Sequence, residues 1–238
     1  MNYNGFPKHV TVAKKKDKAA QSLAKLKSKK ADAEPVFIEG RIIAKSWWGK
    51  AWNLNLESYA DYRNRIERGK SYVRNNSVLD LKVSKGKIKA IVQGSKVRPY
   101  TVEISIDTLD SKRWEQVISL CNHRIDSLEQ LIEGKFPHEL EGLFTERKYG
   151  MFPSPREIHF DCSCPDWAMM CKHVAAVLYG VGARLDINPM LFFELRDVDG
   201  QALIRKSIER KLEGMLKNAG KKTNRVIADE DIEELFGL

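Results

Sequence analysis

The chain has 238 residues, with 41 Lys/Arg against 32 Asp/Glu, a formal net charge of +9 and a pI near 9.3. With 42% hydrophobic and 31% charged residues, its composition is globular rather than fibrous or disordered. No apolar run approaches the ~20 residues that a membrane-spanning helix needs.

The opening MNYNGFPKHVTVAKKK lacks an apolar signal-peptide core, so a cytoplasmic protein is expected. Four cysteines, three of them clustered, do not make a disulfide framework. In a reducing compartment such a cluster points to metal binding or catalysis. The first hundred residues hold 23 Lys/Arg against 8 Asp/Glu, a net of +15, while residues 101–150 carry a net of −4. Electrostatic attraction to nucleic acid would come mostly from the N-terminal part.

Residues 1–35 are lysine-rich and read as a flexible basic arm, at most transiently helical. A basic α+β module is expected over 36–150. Its first helix starts at Ser46 as N-cap and places Trp48, Trp52, Leu56 and Tyr59 at helical spacing. The polar, arginine-rich stretch after it is followed by three alternating segments. Their period-2 sets are Leu79 and Leu81 or Val78 and Val83, then Ile88, Ala90 and Val92, then Tyr100, Val102, Ile104 and Ile106. SKGK between the first two marks a turn, so a short antiparallel meander is expected. Trp114, Val117, Ile118, Cys121, Ile125, Leu128, Leu131 and Ile132 form one helical stripe, capped by Asp110 or Ser111 and stopped at Gly134. That helix is expected to cover the preceding sheet, with Cys121 as a core thiol. After a short helix at PHELEGLF, residues 151–187 form a strand and a helix carrying the cysteines. Residues 188–238 are C-terminal helices with an acidic tail. The fold class expected is α+β: an N-terminal helix plus an antiparallel β-meander covered by a helix, then the cysteine segment, which the family resemblance given below implies to be a ββα-like zinc finger, and C-terminal helices.

Cys162 and Cys164 are two apart, so on an extended strand both sulfurs face the same way. Cys171 and His173 are also two apart and would diverge within a regular helix. They converge if Cys171 precedes the helix and His173 sits in its first turn, which agrees with an apolar stripe that begins at Val174. Three thiolates and one imidazole make a closed tetrahedral set that suits one structural Zn2+ and leaves no open position for a substrate water. Ligand type alone leaves an iron–sulfur cluster open.

Cys-x-Cys, a spacer, then Cys-x-His, with an apolar helix after the histidine, resembles the SWIM zinc finger over residues 155–185. The segments SWWGKAW, RGKSYVRNNSVLDLKV and VQGSKVRPYTVEI resemble bacterial SWIM-finger proteins, many found beside SNF2-type helicases, and extend the likeness to residues 38–185. The resemblance implies that Cys162, Cys164, Cys171 and His173 hold zinc on a short β-hairpin plus helix. It also implies nucleic-acid or protein binding, with an SNF2-type helicase as a partner.

Two binding readings follow. In the first, the protein binds nucleic acid, DNA foremost. Residues 41–100 hold 14 Lys/Arg against 4 Asp/Glu. Arg63, Arg65, Arg68, Lys70 and Arg74 are the densest patch, and Lys82, Lys85, Lys87, Lys89, Lys96 and Arg98 continue it. Lys85, Lys87 and Lys89 would share the sheet face opposite Ile88 and Ala90. Trp47, Trp48, Trp52 and Tyr62 could stack on bases, although core packing suits most of them better. In the second, the protein is an adaptor without nucleic-acid binding, docking a partner through Ile232, Leu235 and Phe236 on its acidic terminal segment. An enzyme is not expected: the sequence shows no P-loop, no paired His or carboxylate motif and no open metal site. Asp161 and Asp166, beside the cysteines, fit supporting roles better than catalysis.

Overall fold

The computed structural model describes residues 10–58, 63–121, 128–135, 138–146, 150–166, 168 and 170–218. The fold is α+β. Four strands, β1 (Val78–Ser84), β2 (Lys87–Val92), β3 (Tyr100–Ile106) and β4 (Ile158–Cys162), form one antiparallel sheet in the order β1-β2-β3-β4. Gly86, at φ +62°, makes the β1–β2 turn that SKGK signals. Ile88 pairs with Ile104, which pairs with Phe160, so alternate residues line one apolar face. Ile88, Ala90, Val92, Val102, Ile104, Ile106 and Ile158 are buried there.

Strand β1 departs from alternation because Val78, Leu79, Asp80 and Leu81 are all buried. The cause is a second layer of chain on its edge. Val36 N–H donates to Val78 O (3.1 Å) and Leu81 N–H to Glu34 O (2.9 Å), and the register shifts between Val78 and Asp80. The Asp80 carboxylate accepts from Lys30 Nζ (2.6 Å) and Glu34 N–H (2.8 Å). The sheet edge is thereby covered.

Among the described residues there are nine α-helices: α1 (Val12–Lys27), α2 (Trp47–Glu57), α3 (Arg63–Arg74), α4 (Ser111–Cys121), α5 (Leu128–Glu133), α6 (His138–Thr145), α7 (Lys172–Leu185), α8 (Met190–Leu195) and α9 (Ala202–Asn218). Helix α7 lies on the apolar sheet face and is buried continuously from His173 to Gly182. Helices α2 and α3 pack on its other side. Helix α3 is polar overall, yet Ile66, Gly69 and Val73 make a buried stripe along it. A Cβ on Gly69 would stand 2.5 Å from Ala175 Cβ, so this crossing requires glycine. Trp48 and Trp52 are fully buried and donate from Nε1 to Leu131 O (2.7 Å) and Leu178 O (2.8 Å). Phe144, Phe192 and Phe193 surround Trp48 with centroids 5.3–5.4 Å away. These indoles are core and are closed to bases.

Two expectations change. The stretch read as a flexible arm contains α1, capped by Thr11 and docked with Ala19 buried. Helix α4 does not cover the sheet. It lies beside α6 and α9, because the β4–α7 connection brings α7 across that face first. Asp110 Oδ1 does cap α4 by accepting Arg113 N–H (3.1 Å), and Gly134 ends α5 at φ +66°. The cysteine segment is built into the same core: β4 is the fourth strand of the main sheet, and α7 is its core helix.

Arg196, fully buried, ties the end of α8 to this sheet. Its guanidinium donates to Asp107 O (2.8 Å) and Glu157 Oε1 (2.6 Å). Burial pushes the Glu157 carboxyl up, but the Ser154 N–H and Arg196 outweigh it and hold it below its ordinary value. A depressed carboxyl stabilises the fold above its unfolded value of 4.5, and the contribution is lost as pH falls through the lower folded value. Replacing Arg196 by Met is expected to cost about 3 kcal/mol in urea denaturation at pH 7. The variant should also lose less stability than the parent between pH 5 and the acid range. An acid profile parallel to the parent's would show that Glu157 does not depend on Arg196.

Candidate metal centre

The four ligand residues come from a strand end, a loop and a helix start. Cys162 closes β4 and pairs with Val102 of β3. Ser163 holds the following turn to β3: its N–H donates to Thr101 O (3.0 Å), and its Oγ accepts from Thr101 N–H (2.9 Å). Cys164 follows in the loop. Cys171 is the N-cap of α7, with extended backbone at φ −79° and ψ 168°, and His173 is in the first turn, as the spacing predicts.

The Sγ atoms of Cys162, Cys164 and Cys171 and a ring nitrogen of His173 all lie within 4.8 Å of one another. His173 Nδ1 is 3.8 Å from Cys171 Sγ and 4.0 Å from Cys162 Sγ. Bonds of ~2.3 Å to sulfur and ~2.0 Å to nitrogen put tetrahedral edges at roughly 3.6–3.8 Å. The group therefore fits one metal ion once its longest edge contracts by up to about 1 Å, and the donor set suits zinc. Cys171 and His173 are buried, while Cys162 and Cys164 are half-buried.

The thiols alone are mutually frustrated. The hydrogen bond from Cys162, then those from His173 and the Val174 N–H, draw the Cys171 thiol down to about 3. That thiolate in turn pushes Cys162 up, with burial adding to it, and burial pushes Cys164 up. One thiolate suppresses the others until a cation enters, so metal uptake releases protons.

Packing aims the imidazole. Its centroid is 4.5 Å from that of Tyr100 and 5.3 Å from that of Tyr72. A Cβ on Gly94 would come within 2.9 Å of Nε2, so the β2–β3 loop approaches the ring as only glycine can. With Nδ1 as the ligand atom, Nε2 carries the proton. Nε2 is buried without a hydrogen-bond partner among the described residues.

Asp166 supports the ligand loop. Its Oδ1 accepts from Ala168 N–H (3.3 Å) and Arg65 Nη2 (3.2 Å), and its Oδ2 lies 3.0 Å from Arg65 Nη1. Arg65, expected on a nucleic-acid surface, thus clamps α3 to the cysteine loop. Asp161 is exposed and pairs across the sheet with Glu103. Tyr72 and Gly94 went unnoticed in the sequence and Tyr100 was read only as a strand residue, since nothing local to them signals a site some 70–100 residues away.

Most of the other expected nucleic-acid residues also have protein partners. Lys70 Nζ lies 2.9 Å from Glu57 Oε1 and 3.0 Å from Glu67 Oε1, and Arg74 Nε donates to Arg41 O (2.9 Å). Arg68 is exposed. Arg63 opens α3, but its side chain is outside the described set. Lys87 and Lys89 do face away from Ile88 and Ala90, with Glu103 between them at 3.7 and 3.9 Å. Lys85 pairs with Asp197 (3.0 Å). Helix α3 sits on the helical side of the sheet and the two β2 lysines on the other, so the two groups do not form one surface. Tyr62, Ile232, Leu235 and Phe236 lie outside the described residues.

Fold and site together define an α+β protein with a closed Cys3His centre. It is similar to an uncharacterized protein of Mycobacterium tuberculosis strain H37Rv, Rv2102, at 34% identity over 163 residues. That alignment covers 68% of this chain and 58% of Rv2102, so the chain spans less than two thirds of that relative's length. No family model matches the chain, and no solved structure matches it. Among the described residues, no helix is long and apolar enough to cross a membrane.

Cys164→Ala or His173→Ala is expected to reduce bound zinc from one equivalent to a small fraction, measured by atomic absorption after gel filtration. Metal binding in such sites contributes on the order of 10 kcal/mol, so either variant should also lower the thermal midpoint. Full zinc occupancy in both would remove those residues from the ligand set. Arg65→Ala should keep the zinc but speed its loss to a chelator severalfold, because the loop then loses its anchor on α3.

Proposed function

We propose that the chain is a non-catalytic, cytoplasmic zinc protein of the SWIM-finger type that binds nucleic acid, DNA foremost, and works beside an SNF2-type helicase. The observation that carries this reading is the closed Cys3His group, which places ligands at a strand end and a helix start in the order that the SWIM resemblance implies. Strands β3 and β4 with α7 supply a ββα arrangement, although residues 107–157 intervene between the two strands. The donor set is full, so the metal is read as structural and the protein as no enzyme. The basic first hundred residues supply the attraction for phosphates. The helicase link rests on the family resemblance.

One observation favours the adaptor reading. On α9, Leu212, Met215 and Leu216 are 54–74% exposed at i, i+3 and i+4, an apolar stripe of the kind that docks a partner.

The deciding measurement is fluorescence anisotropy of the zinc-loaded protein with labelled double-stranded DNA, single-stranded DNA and RNA, each titrated with salt. Binding of DNA that weakens steeply with salt is the expected result. No binding of any of the three at low salt would leave the adaptor reading in its place.

A further inference from the structure

We propose that the bound nucleic acid is a single strand, held where α1 meets the β2–β3 loop, with one base in the cleft between them. Phosphates would lie on Lys14, Lys15, Lys96 and Arg98. This rests on the nucleic-acid reading above and moves its surface away from α3 and the lysines of β2.

The first ground is charge that the fold leaves uncancelled. The cleft has a volume of about 250 Å³, and among the described residues its walls include Lys14, Lys15 and Lys18 but no Asp or Glu. The groove on the outer sheet face, which Lys89 lines, has three lysines facing Asp80, Glu103 and Asp161. A phosphate there would meet as many carboxylates as ammonium groups. Among the described residues, no carboxylate pairs with Lys14, Lys15, Lys96 or Arg98, and all four are exposed.

The second ground is how the loop is held. Lys18 Nζ donates to the carbonyls of Gly94 (3.2 Å), Ser95 (2.7 Å) and Lys96 (2.9 Å), which uses all three ammonium protons. Gln93 Nε2 donates to Gly94 O (2.9 Å) and Lys96 O (2.8 Å). The loop carbonyls are thereby engaged on the α1 side, and Lys96, Val97 and Arg98 stand in solvent, with Val97 89% exposed. Lys18 is a positioning residue, and Lys14, Lys15, Lys96 and Arg98 are the free cations around it.

The third ground is the cleft's own chemistry. Tyr72 lines it, and its ring is held nearly perpendicular to the His173 imidazole at 5.3 Å. An immobilised tyrosine beside lysines is the stacking platform of single-strand binding proteins. Gln93 also lines the cleft. Its two carbonyl partners fix the amide orientation, so Oε1 is an acceptor, buried and without a partner among the described residues. The volume is below the ~300–1,000 Å³ of pockets for larger ligands, which suits one planar group and not a duplex. Gly94 forms the shared wall between cleft and metal centre, so zinc holds the floor of the binding site.

The test uses the full zinc-loaded chain with a fluorescein-labelled 15-nucleotide oligothymidylate, its duplex with oligodeoxyadenylate, and a 15-mer with abasic sites in place of bases. The single strand should bind more tightly than the duplex. The abasic strand should bind about tenfold more weakly than the oligothymidylate. The paired reversals Lys14→Glu with Lys15→Glu, and Lys96→Glu with Arg98→Glu, should each weaken single-strand binding about tenfold or more. Each should lower the salt slope by about 0.7 for every phosphate no longer neutralised. Lys87→Glu with Lys89→Glu should leave both quantities unchanged. Zinc content and circular dichroism check that each variant is folded. Loss of binding from the β2 pair but not from the α1 or loop pairs would overturn the cleft while nucleic-acid binding stands. Tighter duplex binding would overturn the single-strand assignment, and an abasic strand that binds equally well would remove the base from the cleft. If the unaltered protein binds no nucleic acid, the functional reading itself fails.

Discussion

The structure depends on burying α7 on every side. A helix enclosed from His173 to Gly182 must pair any polar group within the protein, as Tyr179 O–H does by donating to Glu57 Oε1 (2.7 Å), and its other polar anchors gather at its ends. At the start, Cys171 makes no side-chain cap through an oxygen. The Val174 N–H faces its sulfur instead, and the partial positive charge of a helix N-terminus favours a thiolate there. At the far end, Asp186 turns outward to another helix. Its carboxylate accepts from Lys45 N–H (2.6 Å) and Ser46 N–H (2.9 Å), ordering the entry to α2. Arg184, just before the end of α7, donates to the Glu34 and Pro35 carbonyls and fixes the segment that covers the sheet edge. The metal centre and these two polar anchors thus position the same helix, and a disturbance at the cysteines reaches the N-terminal segments through it.

Composition and pairing carry different information about charge. The basic excess of the N-terminal half is real, but among the described residues a part of it, above all between residues 63 and 89, is matched once the chain folds. Lys30 meets Asp80, Lys82 meets Asp32, Arg65 meets Asp166 and Lys70 meets two glutamates. Several of these acids lie far away in sequence. The contrast between a balanced sheet face and an acid-free cleft beside α1 therefore appears only in three dimensions.

The parts legible in sequence were those set by local rules. The two ligand pairs, the Ser46 and Asp110 caps, the Gly86 turn and the alternation of β2 and β3 all follow from spacing within a few residues. The parts that were not legible depend on a distant partner. Helix α3 carries too few apolar residues for its pattern to declare itself, and it is stabilised by Ala175 lying against Gly69. Helix α1 is lysine-rich on most sides, and Lys18 docks on carbonyls about 77 residues away. The stripe on α4 is genuine, but periodicity states only that a face is buried, not against which neighbour. The metal ligands were readable because zinc chemistry demands a set of side chains, whereas Tyr72, Tyr100 and Gly94 shape the imidazole's pocket by packing alone.

The long excursion between β3 and β4 has a kinetic consequence. Ile106 and Ile158 are paired neighbours in the sheet although 52 positions separate them in sequence, while all four ligands fall within residues 162–173. Closing the longer loop costs about 1.4 kcal/mol more chain entropy than closing the ligand loop. Topology therefore favours an order of assembly in which the three-strand meander and the metal-bound turn form separately, each from near neighbours. The docking of β4 onto β3 comes later and brings α7 onto the sheet. In such a sequence an ion held by the Cys3His group would act first as a nucleus for its own turn, and only afterwards as a fastener for the whole molecule.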